Sequence, residues 1–323
     1  MPYFSIVTPA YNREREIRRA IRSCLDQSYA DFEIVVTDDG STDGTADVVK
    51  QFARADPRVR LLRHAHNRGV CPARNTAAAA AHGEWLILLD SDQSLRPGAL
   101  AVMRRLTASA APDVGNVAAR VAWDTGIVTP QPALAGRPLR YEEFVAWVNT
   151  LDETEWFNCI RRQVWTDGVR WPESRAYEAS FHLGLAARWR FEIHPDVCSV
   201  YYTDAANRIC RPKSPALAKR NLVLNPLDHA VDAEAILHRH GQVLAKHGPR
   251  QFYVTCYRAS LNRFLSGYRL AGLRYWLKCV RQRPFSPHLW LLPLLGLAGP
   301  GVLANAYCWA KYSIPAYLRS LHK

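Results

Sequence analysis

Short apolar runs and amphipathic stretches alternate along the first hundred residues. "FSIVT" (4–8), "FEIVVTDD" (32–39), "VRLLRH" (59–64) and "EWLILLD" (84–90) read as strands. Helical periodicity fills the intervals, over about 14–27, 45–55 and 72–82, with a further helix opened by Pro97. The strand runs are nearly continuous in apolar residues rather than alternating, the pattern of strands covered on both faces. Together they predict an α/β fold, a mostly parallel sheet flanked by helices. Ligands of such sheets bind beyond the carboxyl ends of the strands. Three polar clusters fall there: Thr8-Pro9-Ala10-Tyr11-Asn12, Asp38-Asp39-Gly40-Ser41 and Asp90-Ser91-Asp92. They are expected to converge on one rim.

The C-terminal third has a different pattern. From about Gln251 to Val280 apolar residues recur at helical spacing (Tyr257, Leu261, Phe264, Tyr268, Leu273, Trp276, Val280), interleaved with Arg258, Arg263, Arg269, Arg274, Lys278 and Arg281. A basic amphipathic helix of this kind suits an anionic membrane surface. The competing reading is an ordinary helix whose stripe packs inward. No charged residue occurs between Arg283 and Lys311. That is long enough for a spanning helix, which needs about 20 apolar residues. Pro293 and Pro300, with glycines at 296, 299 and 301, interrupt it, so an interfacial helix or monotopic hairpin is expected instead.

Charge sharpens this division. The net charge is +13 over 323 residues, and the last acidic residue is Glu234. Residues 235–323 hold 13 Lys and Arg, leaving 29 basic and 29 acidic residues before them. The whole excess sits in the C-terminal segment and points to an anionic surface as partner. A catalytic domain over 1–234, in halves of about 1–110 and 111–234, and a helical attachment region over 235–323 are therefore expected.

Other features exclude function classes. The eight cysteines form no CxxC pair or tight framework, which argues for reduced thiols in the cytoplasm and against a zinc site. "MPYFSIVTPAYN" has no charged region ahead of an apolar run, so no signal peptide is expected. Neither GxGxxG nor GxxxxGK[ST] follows a strand, so the glycine-rich phosphate cradles are missing. The basic tail matches no nucleic-acid-binding motif. Asp90 and Asp92, flanking a serine at a strand end, would suit a hard divalent cation able to bridge phosphate oxygens. A polar turn ahead of the Pro97 helix is the plain alternative.

Residues 4–47, "FSIVTPAYNREREIRRAIRSCLDQSYADFEIVVTDDGSTDGTAD", and 67–92, "NRGVCPARNTAAAAAHGEWLILLDSD", resemble the signature stretches of glycosyltransferase family 2. That is the inverting, nucleotide-sugar-dependent family with a GT-A fold. The likeness is strong over about 3–105 and weak over 155–205. It implies that Pro9 and Tyr11 line the base pocket, with Thr8 nearby, and that Asp39 accepts a hydrogen bond from the base imide, favouring uracil. It also implies that Asp90 contacts ribose or metal, that Asp92 binds the metal (Mn2+ or Mg2+), and that Arg74 lies near the diphosphate or sugar. Asp38 is read as structural.

The family usually supplies its catalytic base from a Glu-Asp pair opening a helix. In "RAYEASFHLGLAARWRFEIHPDV" (175–197) Glu178 falls at the aspartate and Tyr177 replaces the acid before it. Glu178 is the expected base and Glu173 its nearest competitor. "YYTDAANRICR" (201–211) is expected to form a loop over the donor, with Asp204 and Arg208 near diphosphate or acceptor. His182 and His194 read as ordinary core or surface histidines. Trp123, Trp147 and Trp156 line the acceptor side or belong to the core. Leu185 stands where a processive enzyme of the family would carry the glutamine preceding Arg188-Trp189, so transfer of a single sugar is expected. The implied partners are a UDP-sugar donor and a lipid-linked saccharide acceptor of surface polysaccharide synthesis, met at the cytoplasmic face of the membrane by a peripheral or monotopic enzyme. A polyprenyl-phosphate sugar synthase of the same fold, or a silent nucleotide-sugar-binding scaffold, are the alternatives.

Overall fold

A computed structural model describes residues 1–130, 136–151, 155–173, 178–205 and 225–313. The chain forms two compact units, Met1–Ala205 and Ala206–Lys323.

The first unit opens as the hydropathy pattern predicts, with β1 (Phe4–Ala10), α1 (Glu14–Leu25), β2 (Phe32–Asp38), α2 (Thr45–Ala55), β3 (Val59–Arg63), α3 (Val70–Ala80) and β4 (Trp85–Leu88). Every residue of β1, β2 and β4 is buried, because helices cover both faces of these strands. Helix α1 turns Ile17, Ala20, Ile21 and Cys24 inward at the three-and-four spacing of one helical face. These side chains join Phe4, Ile6, Ile34, Trp85 and Phe157 in the main core.

The remainder comprises β5 (Gln93–Leu95), α4 (Ala99–Ser109), β6 (Val114–Trp123), β7 (Val128–Thr129), α5 (Tyr141–Thr150), β8 (Phe157–Arg161), α6 (Arg162–Thr166), α7 (Ala179–Ala186) and β9 (Arg190–Tyr201). The sheet runs β3-β2-β1-β4-β8-β6-β9-β5, with β7 on β6. Its first four strands are parallel. Its second half is mixed: β8 lies antiparallel to both β4 and β6, β9 is parallel to β6, and β5 antiparallel to β9. Register sets the rim. Ala10 pairs with Asp38 and Val7 with Leu88, so the chain leaves the sheet at Tyr11, Asp39 and Asp90 along a single edge.

The second unit is helical in its described part: α8 (Pro226–His247), α9 (Pro249–Leu265), α10 (Arg269–Gln282), α11 (Pro287–Ala298) and α12 (Pro300–Ser313). All but α10 open on proline, whose missing N–H costs nothing in a first turn. The single amphipathic helix expected over 251–280 is broken at Ser266–Tyr268, where Gly267 takes φ +81°. Its stripe is largely internal. Leu261 and Phe264 are buried with Leu292, Leu303 and Ala304, and Tyr257, Leu273 and Trp276 pack against them. The change from acidic to basic composition after Glu234 falls inside α8, so the charge boundary is not a packing boundary. Among the described residues no helix is long and apolar enough to cross a membrane.

Candidate functional site

The rim is built around Arg74 in α3. Its side chain is almost wholly buried, 3 % exposed, yet it carries a charge into the protein. Nη2 donates to Asp90 Oδ1 at 2.6 Å, and Nη1 lies 2.6 Å from Glu178 Oε1 in a second ion pair. Burial alone would lower the guanidinium pKa, but the charges of Asp90 and Glu178 outweigh it and hold it well above its ordinary value. The arginine is therefore cationic at any working pH.

Glu178 precedes α7 and accepts, through its main-chain carbonyl, the first amides of that helix from Phe181 and His182. Its carboxylate makes no capping bond and reaches Arg74 instead. An acid that merely caps a helix would behave otherwise. Asn75, the next residue of α3, donates to the Trp171 carbonyl at 2.9 Å and to Glu173 Oε1 at 3.1 Å, and accepts from Trp171 N–H at 3.2 Å. Trp171 in turn stacks on Phe181, rings 4.1 Å apart. Two neighbouring residues of one helix thus hold the strand end at Asp90, the Glu178 carboxylate, and Trp171 with Glu173. Glu173, already engaged by Asn75 and by Arg68, is a brace of this arrangement.

Asp90 and Asp92 do form a turn, closed by Gln93 N–H to the Asp90 carbonyl at 2.9 Å. From that turn Asp90 reaches Arg74, and the buried Asp92 accepts from the Tyr201 hydroxyl at 3.5 Å. A third acid joins them that the sequence did not single out. Glu155, just ahead of β8, is partly buried. Burial, with the like charges of Glu178, Asp90 and Asp92, pushes its carboxyl from near 4.5 up to about 8, against the pull of Arg74. Asp90 and Glu178 thus contact the guanidinium directly, and Glu155 feels the charges of all three as well as that of Asp92. His182 is half-buried, edge-on to Trp156, and desolvation with the Arg74 charge lowers its pKa to about 3, so it is neutral.

Asp39 anchors the neighbouring edge. Its Oδ1 accepts from His64 Nδ1 at 2.6 Å and Arg68 N–H at 2.9 Å, and its Oδ2 accepts from Gly69 N–H at 2.7 Å. A carboxylate offers about four lone-pair sites, so Oδ2 retains capacity for one more donor. Gly40 makes the approach possible: it sits at φ +72°, and a Cβ there would meet the His66 carbonyl carbon at 2.6 Å. Asp38 is buried and structural, accepting from Ser41 N–H at 3.1 Å and pairing with Arg63. Thr8 and Pro9 are buried within β1, and Tyr11 is the exposed ring on this edge.

Thr8, Pro9, Tyr11, Asp39, Arg74, Asp90, Asp92 and Glu178 therefore all belong to the carboxyl edge of the sheet or the segments pinned to it. Asp204 does not join the acids around Arg74; it forms a two-pronged pair with Arg19 of α1 at 2.9 and 3.1 Å, and that guanidinium lies over the Tyr202 ring. Arg208 and Tyr177 lie outside the described residues. Trp123, Trp147 and Trp156 are buried core residues. The carboxylate-rich donor set suits a hard divalent cation. Among the described residues no three His, Cys, Asp or Glu side chains are gathered so as to hold a metal ion.

Residues 5–165 match the family model of glycosyl transferase family 2. Over 91 residues the chain is 40% identical to the putative teichuronic acid biosynthesis glycosyltransferase TuaG of Bacillus subtilis, a stretch covering 28% of this chain and 36% of that one. Over 88 residues it is 43% identical to WfgD of Escherichia coli, a UDP-Glc:alpha-D-GlcNAc-diphosphoundecaprenol beta-1,3-glucosyltransferase, covering 27% and 34%. The matched stretch spans about a third of these relatives' own length. Among solved structures, TarS of S. aureus in complex with UDP-GlcNAc superposes with TM-score 0.57 at 18% identity, over 95% of this chain and 90% of that one. The mannosyltransferase PcManGT of Pyrobaculum calidifontis, in complex with GDP-Man and Mn2+, gives 0.54 at 19%, over 97% and 88%. At such identities the likeness speaks for the fold, a GT-A fold. With the signature stretches in order along that fold and the family model matched over residues 5–165, the chain belongs to glycosyl transferase family 2.

Proposed function

We propose that this glycosyltransferase moves a single sugar, with inversion, from a nucleotide diphosphate donor to a membrane-associated, lipid-linked saccharide in surface polysaccharide synthesis. A UDP-sugar is the favoured donor. The observation that carries the reading is the double grip of Arg74, which draws Asp90 at a strand end and Glu178 at a helix start onto one buried cation. The names of TuaG and WfgD support the acceptor class, and the UDP-GlcNAc held by TarS supports the donor class.

In this reading Tyr11 stacks on the base and Asp39 Oδ2 accepts from its imide N–H. Thr8 and Pro9 shape the floor beneath. Asp92, with Asp90, would hold Mn2+ or Mg2+, which supplies charge neutralisation for the departing diphosphate. The acceptor hydroxyl attacks the anomeric carbon as the bond from that carbon to the diphosphate oxygen breaks, and the diphosphate leaves with the bonding electrons. Glu178 takes the hydroxyl proton. Arg74 aims Glu178, and Glu155 borders the same cleft. Catalysis is assigned to the unit Met1–Ala205 and peripheral attachment at the cytoplasmic face to the helical unit, with no nucleic-acid partner.

The test is thermal stabilisation by UDP, TDP, GDP and CMP, each with and without Mn2+, on the wild type and Asp92→Ala. Ligand at a hundredfold its Kd stabilises by about 2.7 kcal/mol. The expected result is a metal-dependent shift with UDP that Asp92→Ala loses. No shift with any nucleotide would sink the reading.

A further inference from the structure

The helix α11 is apolar on every side: its sequence is "PHLWLLPLLGLA". One side is fixed to its own unit. Leu289 and Leu292 are buried, and Gly296 approaches so closely that a Cβ there would meet the Phe264 ring at 2.5 Å. The opposite side is left over. Trp290, Leu291, Leu294 and Leu297 follow one another at one-, three- and three-residue steps along a single face. They are 49, 55, 64 and 46 % exposed. Phe285, in the turn that leads into the helix, is 95 % exposed, and Val302 at the start of α12 is 48 % exposed. A contiguous apolar face of this kind on a folded unit marks a docking surface.

We propose that this face, centred on Trp290, Leu291 and Leu294 with Phe285 at its tip, seats the helical unit on an anionic lipid bilayer. Charge selects this occupant. No acidic residue follows Glu234, while Arg269, Arg274, Lys278, Arg281 and Arg283 precede the apolar face within the same stretch. The acids in the described part of this unit, Asp228, Asp232 and Glu234, all lie in α8, and Glu234 is paired with Arg263 by a two-pronged contact. Cations beside an uncharged apolar face complement anionic headgroups over acyl chains. Length fixes the mode. Twelve residues extend about 18 Å at 1.5 Å each, short of the roughly 30 Å hydrocarbon core, so the helix lies in the membrane plane. Trp290 suits that depth: its indole N–H is satisfied internally by the Pro284 carbonyl at 2.9 Å, leaving the ring for the interface. This surface falls in the uncharged stretch expected to be interfacial rather than in the 251–280 stripe, and it rests on and deepens the membrane-associated reading proposed above.

The test is co-sedimentation of the full chain, without nucleotide, with phosphatidylcholine vesicles and with vesicles that also contain phosphatidylglycerol. The wild type is expected to partition onto the anionic vesicles. Leu294→Glu should weaken partitioning about tenfold or more, as burying a new carboxylate replaces burying an apolar side chain. Phe285→Ser, at a position with almost no internal contact, guards against misfolding and should also weaken it, while Arg281→Gln should reduce only the preference for anionic lipid. Absence of wild-type partitioning, or partitioning that Leu294→Glu and Phe285→Ser both leave intact, overturns the proposal. So does a vesicle-free dimer that Leu294→Glu dissociates, which would make the face a contact between copies. Because nucleotide binding is read separately by thermal shift, failure here leaves the transfer reading standing, and failure there leaves this one.

Discussion

Replacing Glu155 with glutamine probes the electrostatics of the cleft with a single neutral isostere. Its carboxyl is raised from near 4.5 to about 8 by burial first and then by Glu178, Asp90 and Asp92. An unfolded glutamate releases its proton above its ordinary pKa, whereas the folded one keeps it until the raised value. The folded state therefore binds the extra proton between these limits, and stability falls as pH climbs through that window. The whole shift corresponds to a ceiling of about 5 kcal/mol at 1.36 kcal/mol per unit. Residual exposure and relaxation of the neighbouring charges reduce this to about 2 kcal/mol. For a unit of this size that is a melting difference of about 4–8 °C. Melting curves of both proteins in EDTA should nearly coincide close to about pH 4.5 and diverge, in favour of Glu155→Gln, up to about pH 8 and beyond. Mn2+ should narrow the gap, since a cation among these carboxylates stabilises the ionised form. Parallel curves across the range would refute the assignment of Glu155 to the acid cluster.

Other perturbations of the same site have equally definite outcomes. Arg74→Met leaves Asp90 and Glu178 without their cation and should destabilise by about 3–5 kcal/mol at neutral pH; urea unfolding should show part of this regained on acidification, as the stranded carboxylates take up protons. A loss that does not vary with pH would mean that packing, not charge, is what Arg74 supplies. Gly40→Ala forces a Cβ toward His66 at positive φ and should cost about 1–3 kcal/mol, with weaker UDP stabilisation because Asp39 shifts with the turn; an unchanged UDP shift would detach Asp39 from the nucleotide. Glu178→Gln should lower turnover about 10²–10⁴-fold while leaving UDP binding intact, and transfer at the wild-type rate would move the base elsewhere.

Strand ends carried most of what could be read in advance. β1, β2 and β4 are buried on both faces, so their apolar runs end with the strands, and the largely buried polar residues that follow are the rim itself. Arg74 and Glu178 were legible by position in their signature stretches. Their mutual contact was not, because residues 104 positions apart meet only through the packing of α3 against the segment that ends in Trp171. The mixed second half of the sheet was equally hidden: β8 reads locally like any short apolar strand, and its direction is set by which partners remain open after β1 to β4 have paired.

Glu155 was missed, and the 283–311 stretch was read as interfacial without showing which side of α11 stays exposed, for a common physical reason. Local pattern shows that a residue is polar or that a helix has an apolar side; it does not show what ends up opposite. "DETEW" holds three acids within four residues, and nothing in that string marks Glu155 as the one whose carboxyl is raised by distant Asp90 and Glu178. The apolar positions over 251–280 face partners within their own unit, and Gly267 splits the stretch so that α9 and α10 fold together around Phe264, with Gly272 admitting the ring. α11 has no periodicity at all, since it needs an apolar side toward Phe264 and keeps another toward solvent. The apolar positions over 251–280 therefore belong to helices satisfied within their own unit, and the uniform apolarity of α11 leaves that helix a surface to spare.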